Sequence, residues 1–377
     1  MKRSSIVLIS LALMAVLAGA WFLFWPRVSL PQDPLAAVPA DAYGVVRIRV
    51  DRVLASEAWK RLVVERGQAK GIERVQVTCG FNPLERLTEL TVFARPAPGG
   101  GVPKFAFAAR GDLRHEELID CVKKFTGGDA SALTREDIEG IPTVQSKKGN
   151  SRAAFVGRDG VIGGDAESVS AAIQTLLGKA PSLAGDPLLK GLFNEIEQGS
   201  DITIVSRLPD DVKPIIGQIA AVFGPPLRQL ENVRFFGANL TTGAGNLTGS
   251  ASLVTPSAEQ AASLVNLGKV AISRLLDIPG IGFTPAASVL RGIQTEARGD
   301  RATFAGSIKV STIEALLEFV PALEGMGRSL ANEVIESDGG AQVESPGSKP
   351  PTPTVEPIVA PEPAKPTKSS KRSKSHE

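Results

Sequence analysis

The sequence predicts an α+β protein of two similar halves, each with mostly antiparallel strands in hairpins and interspersed helices, after an N-terminal membrane helix. Three observations support this prediction. Residues 6–25 are apolar and uncharged, and β-branched segments alternate with helical ones along the rest of the chain. In addition, residues 144–157 (VQSKKGNSRAAFVG) closely resemble residues 293–306 (IQTEARGDRATFAG).

The first 25 residues favour a signal-anchor that stays in the membrane. The uncharged stretch Ile6–Trp25 is long enough to reach roughly 30 Å as a helix, which is the thickness of the bilayer core. Lys2 and Arg3 precede it and would keep the N-terminus cytoplasmic. The expected location is therefore the cell inner membrane, crossed once, with the bulk of the chain exported to the periplasm.

Two other interpretations of this stretch stay open. Small residues at Ala18-Gly19-Ala20 fit a signal peptidase site, and cleavage after Ala20 would release a secreted chain. A buried core helix is the third interpretation. Against cleavage, Trp21 and Trp25 continue the apolar stretch and suit an aromatic belt at the membrane interface.

Residues 26–40 contain four prolines and are expected to form an extended stem before a first α+β repeat at residues 41–180. A strand is predicted at Tyr43–Val50, then a helix that begins at Ser56 and ends at Gly67. The patterns that follow predict two strands in residues 89–111, a helix capped by Asp112 and running to Phe125, two or three short strands in residues 142–164, and a helix capped by Asp165.

A second α+β repeat is predicted at residues 181–336, with a similar order of elements. Its patterns indicate a strand at 201–208, a helix at Pro209–Phe223, a hairpin at 231–254, a helix capped by Thr255 with Pro256 at its first position, a hairpin at 292–310, and a helix through Phe319 opened by a capping box of Ser311 and Glu314.

The two similar stretches match at the same positions without a gap. Their shared residues include the pairs Arg152 and Arg301, Phe155 and Phe304, and Gly157 and Gly306. A duplicated unit of roughly 150 residues would explain both this match and the similar order of elements, within the usual size of a domain. The alternative is a coincidence of the kind that any long α+β chain can yield.

Cys79 and Cys121 are the two cysteines of the chain. In an exported protein a pair of cysteines is a disulfide candidate, whereas in the cytosol the two would be buried thiols. Cys121 shares a helical spacing with Leu118, Val122 and Phe125, so it is expected to face the core in either case. The bond is favoured over two independent core cysteines.

Residues 337–377 differ in composition from the rest of the chain. They carry eight prolines among Ser, Thr, Lys and Glu, and end in KSSKRSKSHE. Such a segment cannot bury enough apolar surface to offset its chain entropy, so a disordered tail is predicted. Its basic end could contact anionic lipid or cell-wall polymer, although a solubilising terminus is the preferred interpretation.

Composition excludes several kinds of site. The formal charge is only +2 and aromatic residues make up 5%, so no nucleic-acid interface is expected. Of the two histidines, His376 lies in the tail, and His115 is followed at i+3 and i+4 by Leu118 and Ile119, which cannot bind a metal. His115 is therefore interpreted as structural.

A glycine-rich turn at Gly157–Ser168 resembles a phosphate loop, but it lacks the Gly-Lys-Ser/Thr ending. Asp165 would also place its carboxylate where the anion should bind, at the start of the helix. Neighbouring acidic residues elsewhere in the chain stand at predicted helix starts and do not share a face. No catalytic, cofactor-binding or metal-binding residues are predicted, and no cofactor.

The segments AAVPADAYGVVRIRV (36–50) and CGFNPLERLTELTVFA (79–94) resemble a class of bacterial exported or membrane-anchored proteins of unknown function. The shared features are the Pro-Ala-Asp-Ala opening before a first strand and repeated strand–helix units, over about residues 36–330. The resemblance implies this architecture and a location in the cell envelope. It implies no activity and no site residues.

The function expected from the sequence is non-enzymatic binding or scaffolding in the envelope, with envelope proteins or cell-wall polymer as partners besides the membrane. The alternative is a hydrolase-like envelope enzyme whose site is not recognisable from sequence. A cleft with perturbed carboxylates would favour the enzyme. An exposed apolar patch or an open strand edge would favour a binding module. A tail that tethers the membrane to the cell wall is the third hypothesis.

Overall fold

The computed structural model describes residues 28–97, 101–125, 133–147, 149–208, 213, 217 and 225–317. The strands are β1 Gly44–Arg49, β2 Leu87–Arg95, β3 Lys104–Gly111, β4 Leu133–Ile138, β5 Ile141–Ser146, β6 Ser151–Val156, β7 Gly160–Asp165, β8 Ile202–Arg207, β9 Phe235–Thr242, β10 Asn246–Val254, β11 Gln294–Arg298 and β12 Arg301–Lys309. The helices are α1 Val50–Ala55, α2 Glu57–Trp59 with a π-helical turn at Lys60–Val64, α3 Lys70–Cys79, α4 His115–Phe125, α5 Ala166–Leu176, α6 Pro187–Glu197, α7 Ala258–Asp277, α8 Pro285–Arg291 and α9 at residues 310–317.

The twelve strands form one sheet in the order β11-β12-β10-β9-β8-β1-β2-β3-β7-β6-β5-β4. Every neighbouring pair is antiparallel. The predicted α+β class with mostly antiparallel strands is therefore confirmed. β1 pairs with β8, so the strands of residues 41–180 and those of residues 181–309 run outward from a shared junction. The duplication itself stays a prediction.

One face of the sheet, called face one here, carries the largest core. Side chains alternate between the two faces of a strand, and Val45, Phe93 and Val205 all point to face one. They pack there with buried residues of α5 and α6, such as Ile173 and Phe193. These two helices therefore cover face one on both sides of the β1–β8 junction.

The opposite face, face two, carries two smaller cores that lie far apart in the strand order. Phe155 of β6 and Val161 of β7 pack with Ile119 of α4. On the other side of the junction, Ala302 of β12 packs with Leu264 of α7. Face two thus has one helix near each end of the sheet, and the α4 end contains the site described below.

Two helix starts lie where the sequence predicts them. The Ser56 hydroxyl accepts a hydrogen bond from the Trp59 backbone N–H, 3.1 Å away, at the start of α2. The Asp165 carboxylate accepts from the N–H groups of Glu167 and Ser168 at the start of α5. In both cases a short polar side chain satisfies N–H groups that have no partner inside the helix.

Asp112 and Thr255 do not cap helices, which corrects two predictions. Asp112 donates its backbone N–H to the Arg86 carbonyl at 2.9 Å, and the next residue, Leu113, is buried in the core. Helix α4 therefore begins only at His115. The Thr255 hydroxyl donates to the backbone carbonyls of Ser257 and Asp300 instead. Because that hydroxyl is occupied in the turn, Ser257 caps α7.

The predicted capping box of Ser311 and Glu314 is also wrong. Helix α9 already includes residue 310, so Ser311 lies within it. The Glu314 carboxylate accepts from the guanidinium of Arg61 instead of from the start of its own helix. The Glu314 side chain, which the local pattern assigned to a helix cap, therefore binds a residue that is distant in sequence.

The corrected cap of α7 gives a direct prediction. Ser257→Ala should lower the free energy of unfolding by about 1 kcal/mol, because the Gln260 N–H loses the acceptor that lies 3.3 Å away. Chemical denaturation of the full chain would measure this loss. Ser288→Ala, which removes a hydroxyl bonded within α8 to the Pro285 carbonyl, serves as a control for deleting an exposed serine hydroxyl. An unchanged stability of the Ser257 variant would contradict the assignment.

Several elements were not predicted, and some predictions lie outside the described residues. Helices α3 and α6 and strand β4 were not expected from the sequence. The helix at Pro209–Phe223 lies almost wholly outside the described ranges, as do the membrane segment at residues 1–25 and the tail at residues 337–377. None of the helices within the described ranges combines the length and the apolarity that a membrane span needs.

The two outermost strands of the sheet carry charged residues. In β4 the exposed positions are Arg135, Glu136 and Asp137, and in β11 they include Glu296 and Arg298. Among the described residues, each strand pairs on one side only, with β5 and β12 respectively. The sheet therefore ends on charged strands at both of its edges.

Candidate ligand-binding pocket

An apolar pocket of about 650 Å³ lies on face two, against the strands β2 to β7. Its floor follows from strand alternation: Val92, Phe107 and Gly163 are consecutive cross-strand partners and therefore point to the same side. The residues that line it are Pro83, Leu87, Leu90, Val92, Phe105, Ala106, Phe107, Ala109, Leu113, Leu118, Ile119, Val122, Leu133, Val144, Ser146, Ser151, Arg152, Ala153, Phe155, Val161, Gly163 and Gly164.

Helix α4 forms one wall of the pocket. Leu118, Ile119 and Val122 follow the spacing of one helix face, and all three line the cavity. Cys121, on the same helix, forms a disulfide with Cys79 at the end of α3, with the two Cα atoms 4.6 Å apart. The bond therefore fixes the wall helix to a second helix.

Two glycines shape the floor. A Cβ atom on Gly163 would lie 2.6 Å from Cζ of Phe107, so glycine at this position leaves room for the aromatic ring. The neighbouring Gly164 has φ of +139°, a conformation that other residues rarely adopt, and a Cβ atom there would lie 2.5 Å from the Phe105 carbonyl oxygen of β3. Both glycines belong to the glycine-rich segment 157–168 that resembles a phosphate loop, and the structure places them in strand β7.

The polar residues of the lining do not form a reactive group. They are Ser146, Ser151 and Arg152, and the lining includes no carboxylate, histidine or cysteine. The guanidinium of Arg152 is engaged on the other side of the sheet, where Nη1 donates to the Ser170 hydroxyl at 2.6 Å and Nη2 donates to Gln145. The interior of the pocket can therefore surround hydrocarbon but offers few partners for buried polar groups.

His115, the first residue of α4, is half-buried and packs against the aromatic ring of Phe155. Its ring centroid is 4.6 Å from that of Phe155, and Nε2 is buried without a hydrogen-bond partner in the described part of the chain. Burial lowers the pKa of His115 below its ordinary value because the charged form loses hydration. A neutral ring packed on an aromatic residue fits the structural role expected from the sequence.

The described carboxyl groups do not point to acid–base chemistry. Where the pKa of a described carboxyl is displaced it is lowered: for Glu117 by a hydrogen bond from Arg86, for Asp120 by one from Lys123, and for Glu139 by Lys179. A catalytic acid would require the opposite direction. Within the described ranges, no cluster of His, Cys, Asp and Glu side chains could hold a metal ion.

Five of the six positions matched between the two halves lie in strands. Arg152 and Phe155 are in β6, and Arg301, Phe304 and Gly306 are in β12. Phe155 lines the pocket beneath α4, and Phe304 packs against Gly268 of α7 on the same face of the sheet. The glycines differ, because Gly157 follows β6 with φ of +66°, whereas Gly306 lies inside a strand.

Of the residues singled out in the sequence, Cys79, Cys121, Arg152 and Phe155 meet in or beside the pocket, while Arg301, Phe304 and Gly306 belong to the other end of the sheet. Trp21 and Trp25 lie outside the described residues. The aromatic floor was missed. Its signal is in KFAFAARG (104–111), where both large side chains, Phe105 and Phe107, fall on one face of the strand and remain 56% and 37% exposed.

No family model and no curated protein matches the chain. Among solved structures, crystal form III of TP0453 is similar over 76% of this chain and 98% of its own, with 14% identity and a TM-score of 0.45. Crystal forms IV and I of the same protein give TM-scores of 0.43 and 0.41, at 15% and 14% identity, over 76% of this chain and 96% and 97% of theirs. Similarity at this level supports no conclusion about function.

Proposed function

We propose that the protein is a non-enzymatic envelope protein that binds a long-chain acyl ligand in the pocket on face two. The observation that carries the proposal is the size and apolarity of this pocket. Its volume falls within the range of about 300–1,000 Å³ that is usual for small-molecule sites. Nearly all its lining side chains are aliphatic or aromatic.

The chemistry of the lining selects the class of ligand. A polar group carried into the interior would lose hydration without gaining hydrogen bonds, at a cost of about 1–3 kcal/mol. Hydrocarbon gains about 0.8 kcal/mol for each methylene buried. An amphiphile should therefore place its chain against Phe107 and Ile119 and leave its head group at the open side, near Ser146 and Ser151.

The proposed location is the exported side of the inner membrane, with residues 1–25 as the anchor, or the exterior if the chain is cleaved after Ala20. The disulfide between Cys79 and Cys121 supports export, because such bonds persist in oxidising compartments and are rare in the cytosol. A binding role is favoured over the envelope enzyme because the lining combines no nucleophile with a base.

A substitution that fills the pocket tests the proposal. Ala153 lines the floor beside Gly163, and Ala153→Phe should place a ring where the ligand lies. Displacing about three methylenes at roughly 0.8 kcal/mol each lowers affinity roughly fifty-fold. Membranes that contain the full chain would be exposed to a subsaturating photoactivatable fatty acid, and the label on the protein quantified by mass spectrometry.

The matched control is Ala297→Phe, the same change at an exposed position of β11, which should leave labelling unchanged. In the unaltered chain the label should map to peptides that contain β2, β3 and α4. Equal labelling of both variants, or a label confined to other peptides, would refute the proposed ligand site.

A further inference from the structure

The open side of the pocket is bordered by large apolar side chains that face solvent. Phe105 is 56% exposed, Phe125 49% and Val122 45%, and Val102, three residues before Phe105, is 82% exposed. These four residues are called the rim. Phe105 and Val122 belong to the pocket lining as well, so the rim continues the apolar surface of the binding site outward.

Basic residues flank the rim. Lys124 lies between Val122 and Phe125, and Lys147 directly follows Ser146 of the lining. Both are exposed and have no ion-pair partner among the described residues. Of the acidic groups near the rim, Asp120 binds Lys123 at 2.8 Å and Glu167 binds Lys104. Asp165, the cross-strand partner of Ser151, accepts from Asn150 and from the start of α5. The two lysines therefore leave a small excess of positive charge around the rim.

The N-terminal end of the described chain packs on face one of the same half of the sheet, at the turn between β6 and β7. Val28 is next to Gly157 at the end of β6, and Leu30 packs against Gly160, the first residue of β7. Arg110 of β3 holds this segment by donating to the carbonyls of Leu30 and Pro31 at 2.9 and 2.7 Å. Only Pro26 and Arg27 separate Trp25 from Val28, a span of at most about 11 Å, so a membrane helix that ends at Trp25 would hold this half of the sheet beside the bilayer.

We propose that the rim docks onto the surface of an anionic bilayer and that the acyl ligand enters the pocket from that bilayer. This inference rests on the proposed function and names the partner of the same site. Exposed aromatic and aliphatic side chains beside lysines are the combination that binds membrane interfaces, where apolar groups enter the acyl boundary and cations meet anionic head groups. Because side chains stand perpendicular to a sheet, Phe105 projects from face two near the start of β3, where 56% of its surface is free to enter the acyl boundary.

Depth-dependent quenching in proteoliposomes tests the docking. Single cysteines would replace Val102 or Phe125 in the full chain, with the disulfide intact, and carry an environment-sensitive fluorophore. Phe283→Cys is the matched control, because Phe283 is 98% exposed in the turn before α8, at the other end of the sheet. We expect nitroxide-bearing lipids to quench the probes at positions 102 and 125, and aqueous iodide to quench the probe at position 283.

Three outcomes would overturn the docking. Iodide quenching at positions 102 and 125 would show that the rim faces water. Lipid quenching only at position 283 would place the membrane contact elsewhere. Protection of the rim from both quenchers would indicate a protein partner or a second copy of the chain.

A kinetic experiment separates this inference from the proposed function. The double variant Val102→Ser, Phe125→Ser alters residues outside the interior of the pocket, Val102 and Phe125 being absent from its lining. Transfer of a photoactivatable fatty acid from anionic vesicles should slow roughly tenfold, while the final labelling stays within about twofold of the unaltered chain. An unchanged transfer rate would refute the docking and leave the proposed ligand site standing. A lack of labelling in every chain, including the unaltered one, would refute the ligand site itself.

Discussion

Replacing both Cys79 and Cys121 by alanine is expected to lower the free energy of unfolding by about 4 kcal/mol. The disulfide joins residues 42 positions apart, and closing a loop of that length removes conformational freedom from the unfolded chain. Both side chains are also buried, at 8% exposure each, so their loss adds a packing term to the entropic one. Guanidinium denaturation of the full chain, followed by fluorescence, would measure the difference.

Reductant provides the control for this experiment. It should destabilise the unaltered chain by a similar amount and leave the double variant unaffected. The disulfide also fixes α4, so under the proposed function the variant should bind acyl ligand more weakly through displacement of Leu118 and Val122. A chain whose stability does not respond to reductant would show that the packing of α3 and α4 suffices without the covalent bond.

Phe193→Ala is expected to cost about 3–5 kcal/mol. Phe193 is 1% exposed in α6 and packs into the core on face one, beside the strands that join at the β1–β8 junction. Truncating a buried aromatic side chain removes its transfer free energy and leaves a cavity that the surrounding residues fill only in part. Guanidinium denaturation of the full chain would measure this loss. The slope of the unfolding free energy against denaturant concentration should stay the same.

Leu188→Ala in the same helix is the matched control. Leu188 is 60% exposed, so its truncation should change the stability by less than about 0.5 kcal/mol. Similar losses for the two variants would show that α6 does not contribute its buried face to the core. A change confined to Phe193 would confirm that this helix stabilises the junction.

Local patterns predicted much of the secondary structure. Hairpins such as β9–β10 and β11–β12 follow alternating segments, and caps such as Ser56 and Asp165 lie beside the N–H groups that they satisfy. These features depend on residues only a few positions apart, which a single sequence displays. Helix α6 could have been predicted in the same way, because Asp186 caps it and Pro187 is its first residue.

The features that the sequence did not predict depend on contacts between distant residues or on an edge position in the sheet. The segment LTREDI of β4 has no apolar face that would show a strand pattern, because it forms an edge and exposes three charged residues. Thr255 and Ser257 are both competent caps, and the choice between them was made by the distant carbonyl of Asp300. The pocket depends on β3 pairing with β7, a contact across more than fifty residues that no local pattern specifies.

The charged outer strands determine whether copies of this protein associate through their sheet edges when they are crowded. A strand from a neighbouring copy could extend the sheet only by pairing with β4 or β11, and it would then place its own side chains beside Arg135, Glu136 and Asp137 or beside Glu296 and Arg298. Desolvating those charges opposes edge-to-edge growth. Many copies can therefore be held close together at high local concentration without polymerising into fibrils through their sheets.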